Sequence, residues 1–402
     1  MKCDLTNKPI EEIMSFGQMP IANGFIDKEN FKKEYFYEMT VGVSPDIGLF
    51  QLTNFPKVEM MFHENYSFFT NSSNYMKIHF ENYAKSLMKK FINSQEEKII
   101  EIGCNDGTML ENFKRNKIQS LGIDPSTNVT RVAKEKGLDV ISSFFSENLA
   151  RSLEDYKNKT KIICAANVIC HIPDLKDLIK GVDVLLDKKG VFVFEEPYLG
   201  SMLNNVSYDQ IYDEHIYIFS AIAIEKIFNL FNFELIDLHP QITHGGSMRY
   251  TVARKNEYEK SIIVKKFLDE ELKKGFLESD IYFLFKKNCL ESKNNFTNLI
   301  KKISQDGKKL SGYAATSKST TVLNYCSIGP SEMECIYDTT PEKIGKFSPG
   351  KHIPIIDSAK FKDKGAHTSV LFAWNHKKEI MNKESLFISS GGKWISHIKN
   401  IL

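Results

Sequence analysis

KIIEIGCNDGTML, Lys98 to Leu110, decides the fold of this 402-residue chain. An apolar strand runs directly into a glycine-bearing turn and then a helix. Glu101, Gly103 and Gly107 read E-x-G-x-x-x-G, and a second strand, LGID, ends 23 residues after Glu101 in Asp124. A βαβ unit whose second strand ends in a carboxylate predicts a ribose-bearing cofactor: the glycines let the backbone approach the ligand, and the acid accepts hydrogen bonds from ribose hydroxyls. Spacing then separates the cofactors. A dinucleotide fingerprint needs its second glycine at position 105, where this chain has Asn105. Glycines four apart, with Glu101 at the strand end and Asp106 in the turn, suit S-adenosylmethionine (SAM), which has no pyrophosphate to cradle. An ordinary strand-turn-helix with useful glycines is the competing reading, and Asp124 tells against it.

Working outward, apolar alternation predicts strands at 98–102, 119–124, 138–142, 160–168 and 190–195, with helical patterns between them. Near 233–238 and 248–254 two further strands are joined by PQITHGGS, too short for a parallel crossover, so they form an antiparallel hairpin. A parallel sheet ending in such a hairpin is the usual methyltransferase layout. Residues 1–75 read as a small β-rich module, 76–254 as the SAM-binding domain, 255–305 as a connector of two Lys/Glu-rich helices, and 306–402 as another α/β unit opened by KKLSGYAATSKSTTVLNY.

Composition narrows the class. A 42% hydrophobic, 26% charged chain of this length can bury more than one core. Net charge is only +2, with lysines interspersed among acids, which excludes nucleic acid as the main partner. No apolar run is long enough to span a bilayer, and MKCDLTNKPIEE lacks a signal-peptide pattern. Seven scattered cysteines without a C-x-x-C spacing read as reduced thiols in a cytoplasmic protein.

Chemistry needs a base as well as a methyl donor. EEPYLGSMLNNVSYDQIYDEHIYIFS gathers Tyr208, Tyr212, Asp213, Glu214, His215 and Tyr217 within ten residues. A histidine flanked by carboxylates can be tuned toward neutral pH as a general base, the acid orienting its ring. A polar helix start with ordinary surface charges is the alternative. His171, in NVICHIPDL, lies just past the fourth strand, where an open α/β sheet has its ligand crevice. Asn167 on that turn is a candidate to meet the methionine part of the cofactor; a satisfied structural histidine is the competing reading for His171. In THGGSMR, Arg249 suits a phosphate because its planar fork donates two hydrogen bonds, while Gly245 and Gly246 equally suit a tight hairpin. GYAATSKST offers backbone N–H groups and Lys318 for a pyrophosphate, or a helix cap with no ligand.

Together MFHENYSFF, EIGCNDGTML, ANVICHIPDL, FVFEEPYLG, YDEHIYIFS, HGGSMRYTVAR, GYAATSKSTTVLNYCSIGP, YDTTPEKIGKFSPGKHIPI and LFAWNHKKEIM resemble the SAM-dependent carbon-3 methyltransferases that make branched deoxysugars on nucleotide carriers. The resemblance covers nearly the whole chain. It implies an α/β fold in three parts: a small N-terminal zinc module, a Rossmann-like class I methyltransferase domain, and a second Rossmann-like domain that helps hold a nucleotide-linked 4-keto-6-deoxy sugar. The implied base is His215, beside Tyr212 and Glu214, with His171 after the fourth strand and Tyr66 as the N-terminal active-site tyrosine. Tyr198, His244, Gly245, Arg249, Lys318, Asn375 and His376 are the implied acceptor-binding residues, in a monomer.

The chain departs from that family in two places. Where the family has two cysteine pairs, this chain has Cys3 and Thr6, then Ser44 and Ile47. Four-coordinate zinc needs four good ligands, so no structural zinc is expected. Ala314 replaces a frequent glycine and tightens the phosphate turn. A sugar O-methyltransferase, using the same cofactor and the same kind of base, is the nearest alternative. A non-catalytic SAM- or nucleotide-sugar-binding subunit is the more distant one.

Overall fold

A computed structural model describes residues 1–62, 69–305, 307 and 310–399. The first sheet is antiparallel: β1 (Glu11–Pro20), β2 (Phe36–Ser44) and β3 (Leu49–Leu52), closed by a two-residue strand from far along the chain. The helix Asn74–Phe91 follows. Ser73 caps it, its side chain accepting from the Met76 N–H, and Met76, Phe80, Tyr83, Ala84, Leu87 and Phe91 form its buried face at helical spacing.

The second sheet contains β4 (Lys98–Ile102), β5 (Gln119–Asp124), β6 (Val140–Ser142), β7 (Thr160–Ala166) and β8 (Leu186–Pro197), all parallel. The two-residue strand that closes the first sheet is β9 (Tyr217–Ile218). The hairpin β10 (Phe233–Gln241) and β11 (Ser247–Arg254) completes the second sheet in the order β10-β11-β8-β7-β4-β5-β6, with β11 antiparallel to both neighbours. β4 and β7 are covered on both faces, which explains their nearly unbroken apolar runs. The order reverses between β4 and β7, and that is where an open α/β sheet leaves its crevice.

Two helices, Ile262–Lys273 and Ser279–Gln305, lead to the third sheet. It is wholly parallel: β12 (Leu310–Tyr313), β13 (Ile336–Asp338), β14 (Ile355–Asp357), β15 (Thr368–Leu371) and β16 (Lys393–Ile395), in the order β14-β13-β12-β15-β16. Its switch point lies between β12 and β15. One apolar core joins the first sheet, the long helix and this third sheet through Phe16, Val41, Phe50, Phe285, Val322 and Ile336. The fold is thus α/β with two Rossmann-like sheets and a β-rich N-terminal module. No described helix is long and apolar enough to cross a membrane.

Candidate active site

The crevice beyond β4 carries the predicted cofactor residues. Gly103 sits at φ +72°, and a Cβ there would lie 2.1 Å from a Val168 methyl, so only glycine lets the turns after β4 and β7 approach. Asp124 at the end of β5 accepts from the N–H groups of Asn105 (3.0 Å) and Ser126 (2.9 Å). Glu101 Oε2 and Asn167 Oδ1 are buried without hydrogen-bond partners among the described residues. Burial, then Asp106 and Asp124, pushes the Glu101 carboxyl well above its ordinary range. A ligand that brings ammonium and sulfonium charge to these acids would satisfy the orphaned oxygens and relieve their repulsion. The residues therefore fit SAM.

Asp106 and Gly107 serve this crevice from outside its lining. Asp106 Oδ1 accepts from the N–H and hydroxyl of Thr108, and its Oδ2 from the Asn71 N–H at 2.8 Å. Gly107 lies at φ +77°, where a Cβ would strike Leu138.

Opposite the acids stands His215. Its Nδ1 lies 2.7 Å from the Gln210 carbonyl, which can only accept, so the ring proton is on Nδ1. Nε2 is then the lone-pair nitrogen, and it accepts from the Tyr212 hydroxyl at 2.6 Å. The expected orientation of His215 by Glu214 is corrected: both ring nitrogens are already engaged, and Glu214 instead accepts from the Asn23 amide at 2.5 Å. Burial, followed by the charges of His171 and His244, holds the His215 pKa well below 6.5. The imidazole is an unprotonated base at neutral pH. His171 stacks on it, with ring centroids 5.4 Å apart, and burial depresses His171 to about 3.

The base is fastened by the N-terminal module as well. Both carboxylate oxygens of Asp213 accept from the Ala22 N–H, at 3.2 Å each, and β9, starting two residues after His215, pairs with β3. Asn23 sits 191 residues from Glu214 in sequence, so no local pattern could have pointed to it.

The third sheet supplies a cationic wall. Lys318, in the first turn of the helix Ser317–Tyr325, donates to Asn375 Oδ1 (3.2 Å) and to the His244 carbonyl (3.4 Å). Burial lowers its pKa to about 8, partly offset by Asp209. Lys343, not foreseen, is a second, half-buried cation, donating to the Ala315 carbonyl at 2.8 Å. His376 borders the same space, its pKa lowered to about 4 by burial and then Lys318. The Thr316–Ser319 capping box occupies part of the helix N-terminus, so fewer of its backbone N–H groups are open to a ligand. Ala314 lies at φ 72°, the conformation that glycine adopts most easily.

One cavity of about 590 Å³ joins these parts. It brings together Glu101, Gly103, Asn105, Asp124 and Asn167 from the cofactor side, His171, Tyr212, Glu214 and His215, then His244, Lys318, Asn375 and His376. Three expected acceptor residues do not line it. Arg249, expected at a phosphate, is corrected: it donates twice to Glu195 Oε2, from Nε at 3.1 Å and a terminal nitrogen at 2.8 Å, and covers the Tyr83 ring at 3.6 Å. Burial would raise Glu195, but His79, Arg249 and Thr243 outweigh it and hold the carboxyl at about 2. Tyr198 donates to Glu271 at 2.7 Å instead of facing the cavity. Gly245 supports the wall from behind, since a Cβ there would lie 2.0 Å from the Trp374 ring. Tyr66 lies outside the described residues.

Three family models tile the chain: a putative zinc binding domain over residues 3–62, a methyltransferase domain over 76–238 and a C-methyltransferase C-terminal domain over 242–398. The chain is similar to the C-methyltransferase NovU of Streptomyces niveus, with 26% identity over 96% of this chain and 92% of that protein. A shorter similarity, 29% identity over 25% of this chain and 44% of the relative, links it to a ubiquinone biosynthesis O-methyltransferase of Histophilus somni. Among solved structures, the PH0226 protein of Pyrococcus horikoshii aligns with a TM-score of 0.39 and 16% identity, over 47% of this chain and 95% of that one.

The zinc that the first model names does not fit this N-terminal module. The chain turns at both of the positions in question: Asn7 N–H donates to the Cys3 carbonyl at 2.7 Å, and Gly48 N–H to that of Ser44 at 2.8 Å. Their side chains are those of an apolar core, however. Cys3 and Ile47 are buried in one hydrophobic cluster, and the Ser44 hydroxyl accepts from Gln51 at 2.8 Å. Ile47 offers no donor atom, and four-coordinate zinc needs four.

Proposed function

The chain belongs to the SAM-dependent C-methyltransferases, and on that premise we propose that its acceptor is a nucleotide-linked 4-keto-6-deoxy sugar, methylated at carbon 3 through an enolate with His215 as general base. The observation that carries this reading is the continuity of one cavity from Asp124 past His215 to Lys318. A donor bound at the acids and an anionic carrier held at the lysines would meet at the imidazole.

The 4-ketone acidifies the hydrogen on carbon 3. His215 Nε2 takes that proton, which requires the Tyr212 hydroxyl to leave this lone pair. Tyr212 then turns to the ketone oxygen and donates to the enolate as its charge develops, a contact worth most in the transition state. Glu101, Asp124 and Asn167 hold the cofactor, and Lys318 and Lys343 hold the diphosphate of the carrier. SAM, when bound, supplies a methyl group on a positively charged sulfur, which leaves as a neutral thioether.

The test is SAM turnover against a panel of nucleotide-linked 4-keto-6-deoxy sugars, with NMR of any product. A new quaternary carbon supports the proposal, whereas a methoxyl signal replaces it with O-methylation. In heavy water the product must lack the original carbon-3 hydrogen.

A further inference from the structure

We propose that Gln210 is a positioning residue that couples the cationic wall of the third sheet to the imidazole of His215. Its main-chain carbonyl accepts from His215 Nδ1 at 2.7 Å and so sets both the tautomer and the ring plane of the base. Its side-chain amide donates to the His244 carbonyl. That same carbonyl accepts from Lys318 at 3.4 Å. One oxygen thus lies between the lysine and the residue that carries the base.

The neighbours of Gln210 are fastened to the same wall. Asp209 Oδ2 accepts from Trp374 Nε1 at 2.7 Å, and the Lys318 ammonium lies 5.0 Å from the Trp374 ring centroid. Thr321 donates to the Ile211 carbonyl at 2.9 Å. Asp209 and Ile211 are therefore anchored to the third-sheet part, and Gln210 between them reaches Lys318 only through the His244 carbonyl in the β10–β11 turn while its own carbonyl holds His215. Gln210 is 3% exposed, and its Oε1 has no hydrogen-bond partner among the described residues, so the side chain is kept by its single amide contact to the His244 carbonyl.

An anion arriving at Lys318 competes with the His244 carbonyl for the ammonium. The carbonyl is then left to Gln210 alone, and the carbonyl-to-imidazole bond moves with it. Binding energy from the remote carrier would thus be used to align the base, raising kcat as well as lowering KM. The identity of that anion as a sugar-linked diphosphate rests on the function proposed above; the tether itself does not.

The probe is inorganic pyrophosphate, added to the full chain carrying ¹⁵N-labelled histidine, with the His215 ring nitrogens followed by NMR. Pyrophosphate is expected to shift them in the wild type and not in Gln210→Met, which keeps the main-chain carbonyl but loses the amide. In turnover, Gln210→Met is expected to lower kcat by about 10²-fold, the order of cost of a small misplacement, while SAM affinity and Tm stay at wild-type values. A wild-type His215 signal unmoved by saturating pyrophosphate overturns the coupling, whatever the variant does. So does an equal shift in wild type and variant, or a fall in kcat matched by falls in Tm and SAM affinity. A shift lost only in the variant, in a protein that methylates no nucleotide sugar, upholds the coupling and refutes the substrate.

Discussion

The hydroxyl of Tyr212 donates to Nε2 of His215 across 2.6 Å, while the opposite ring nitrogen donates to a main-chain carbonyl. A histidine held in this way is a neutral base with its lone pair already aimed at a proton. His215→Ala is expected to reduce turnover about 10²- to 10⁴-fold, the usual contribution of one general base, with SAM affinity by calorimetry unchanged. Tyr212→Phe frees the lone pair but removes the hydroxyl proposed to donate to the enolate, and is expected to cost about 10²-fold in kcat. Near-normal rates in His215→Ala would reassign the base.

The pH dependence follows from two buried groups. Burial and neighbouring charge keep the His215 pKa well below 6.5, so the acid limb of kcat/KM falls below that value. Lys318, lowered to about 8, loses its charge as pH rises through that region and with it the attraction for an anionic acceptor. The profile is expected to be level between the two and to drop above about pH 8. Lys318→Arg should abolish the alkaline drop, because a guanidinium stays charged.

Two glycines separate the ligand sites. A Cβ at Gly103 meets Val168 at 2.1 Å, and one at Gly245 meets Trp374 at 2.0 Å, both at positive φ. Overpacking of this kind costs about 1–3 kcal/mol, or about a five- to 150-fold loss in affinity if it falls on the bound state. Gly103→Ala should weaken SAM and spare nucleoside diphosphate, and Gly245→Ala the reverse. Calorimetry with each ligand separates them, and equal losses for both would mean one shared site.

Arg249 predicts stability, not substrate affinity. Its partner Glu195 is fully buried, and the guanidinium side chain is 13% exposed. Removing one member of a buried pair typically costs about 3–5 kcal/mol because the other charge is left uncompensated. Arg249→Met should therefore lower the urea midpoint sharply, and adding Glu195→Gln should recover much of it. An unchanged midpoint with a raised KM for the acceptor would return Arg249 to the phosphate.

Metal analysis tests the N-terminal module. Protein produced with ample zinc should hold far less than one tightly bound ion per chain, and chelators should leave its Tm unchanged. One retained zinc would require ligands other than Cys3, Thr6, Ser44 and Ile47.

The cofactor crevice was legible because its signals are local: the apolar run of β4, glycines where positive φ is required, and an acid ending β5. The hairpin β10–β11 was legible from loop length alone. What orders the base was not. Glu214 beside His215 in sequence suggested a carboxylate partner, yet the turn at 208–212 folds back so that a carbonyl five residues away reaches Nδ1 first. Main-chain acceptors carry no residue signature. Arg249 looked like a phosphate ligand because the fork that grips phosphate also grips carboxylate, and its partner Glu195 stands 54 residues earlier, at the end of the strand predicted over 190–195. Lys343 and Asn23 reach the cavity only through long-range packing, which no spacing reports.

The pairing of β9 with β3 also has a kinetic side. Phe50 must find Ile218, and the Leu52 N–H must find the Ile216 carbonyl, across more than 160 residues. Loop closure of that span is slow compared with local hairpin formation. During synthesis the first three strands emerge early but keep an open edge until the segment just after His215 has been made. The N-terminal sheet and the setting of His215 are therefore finished in the same late event, and a chain stalled before Tyr217 would have neither.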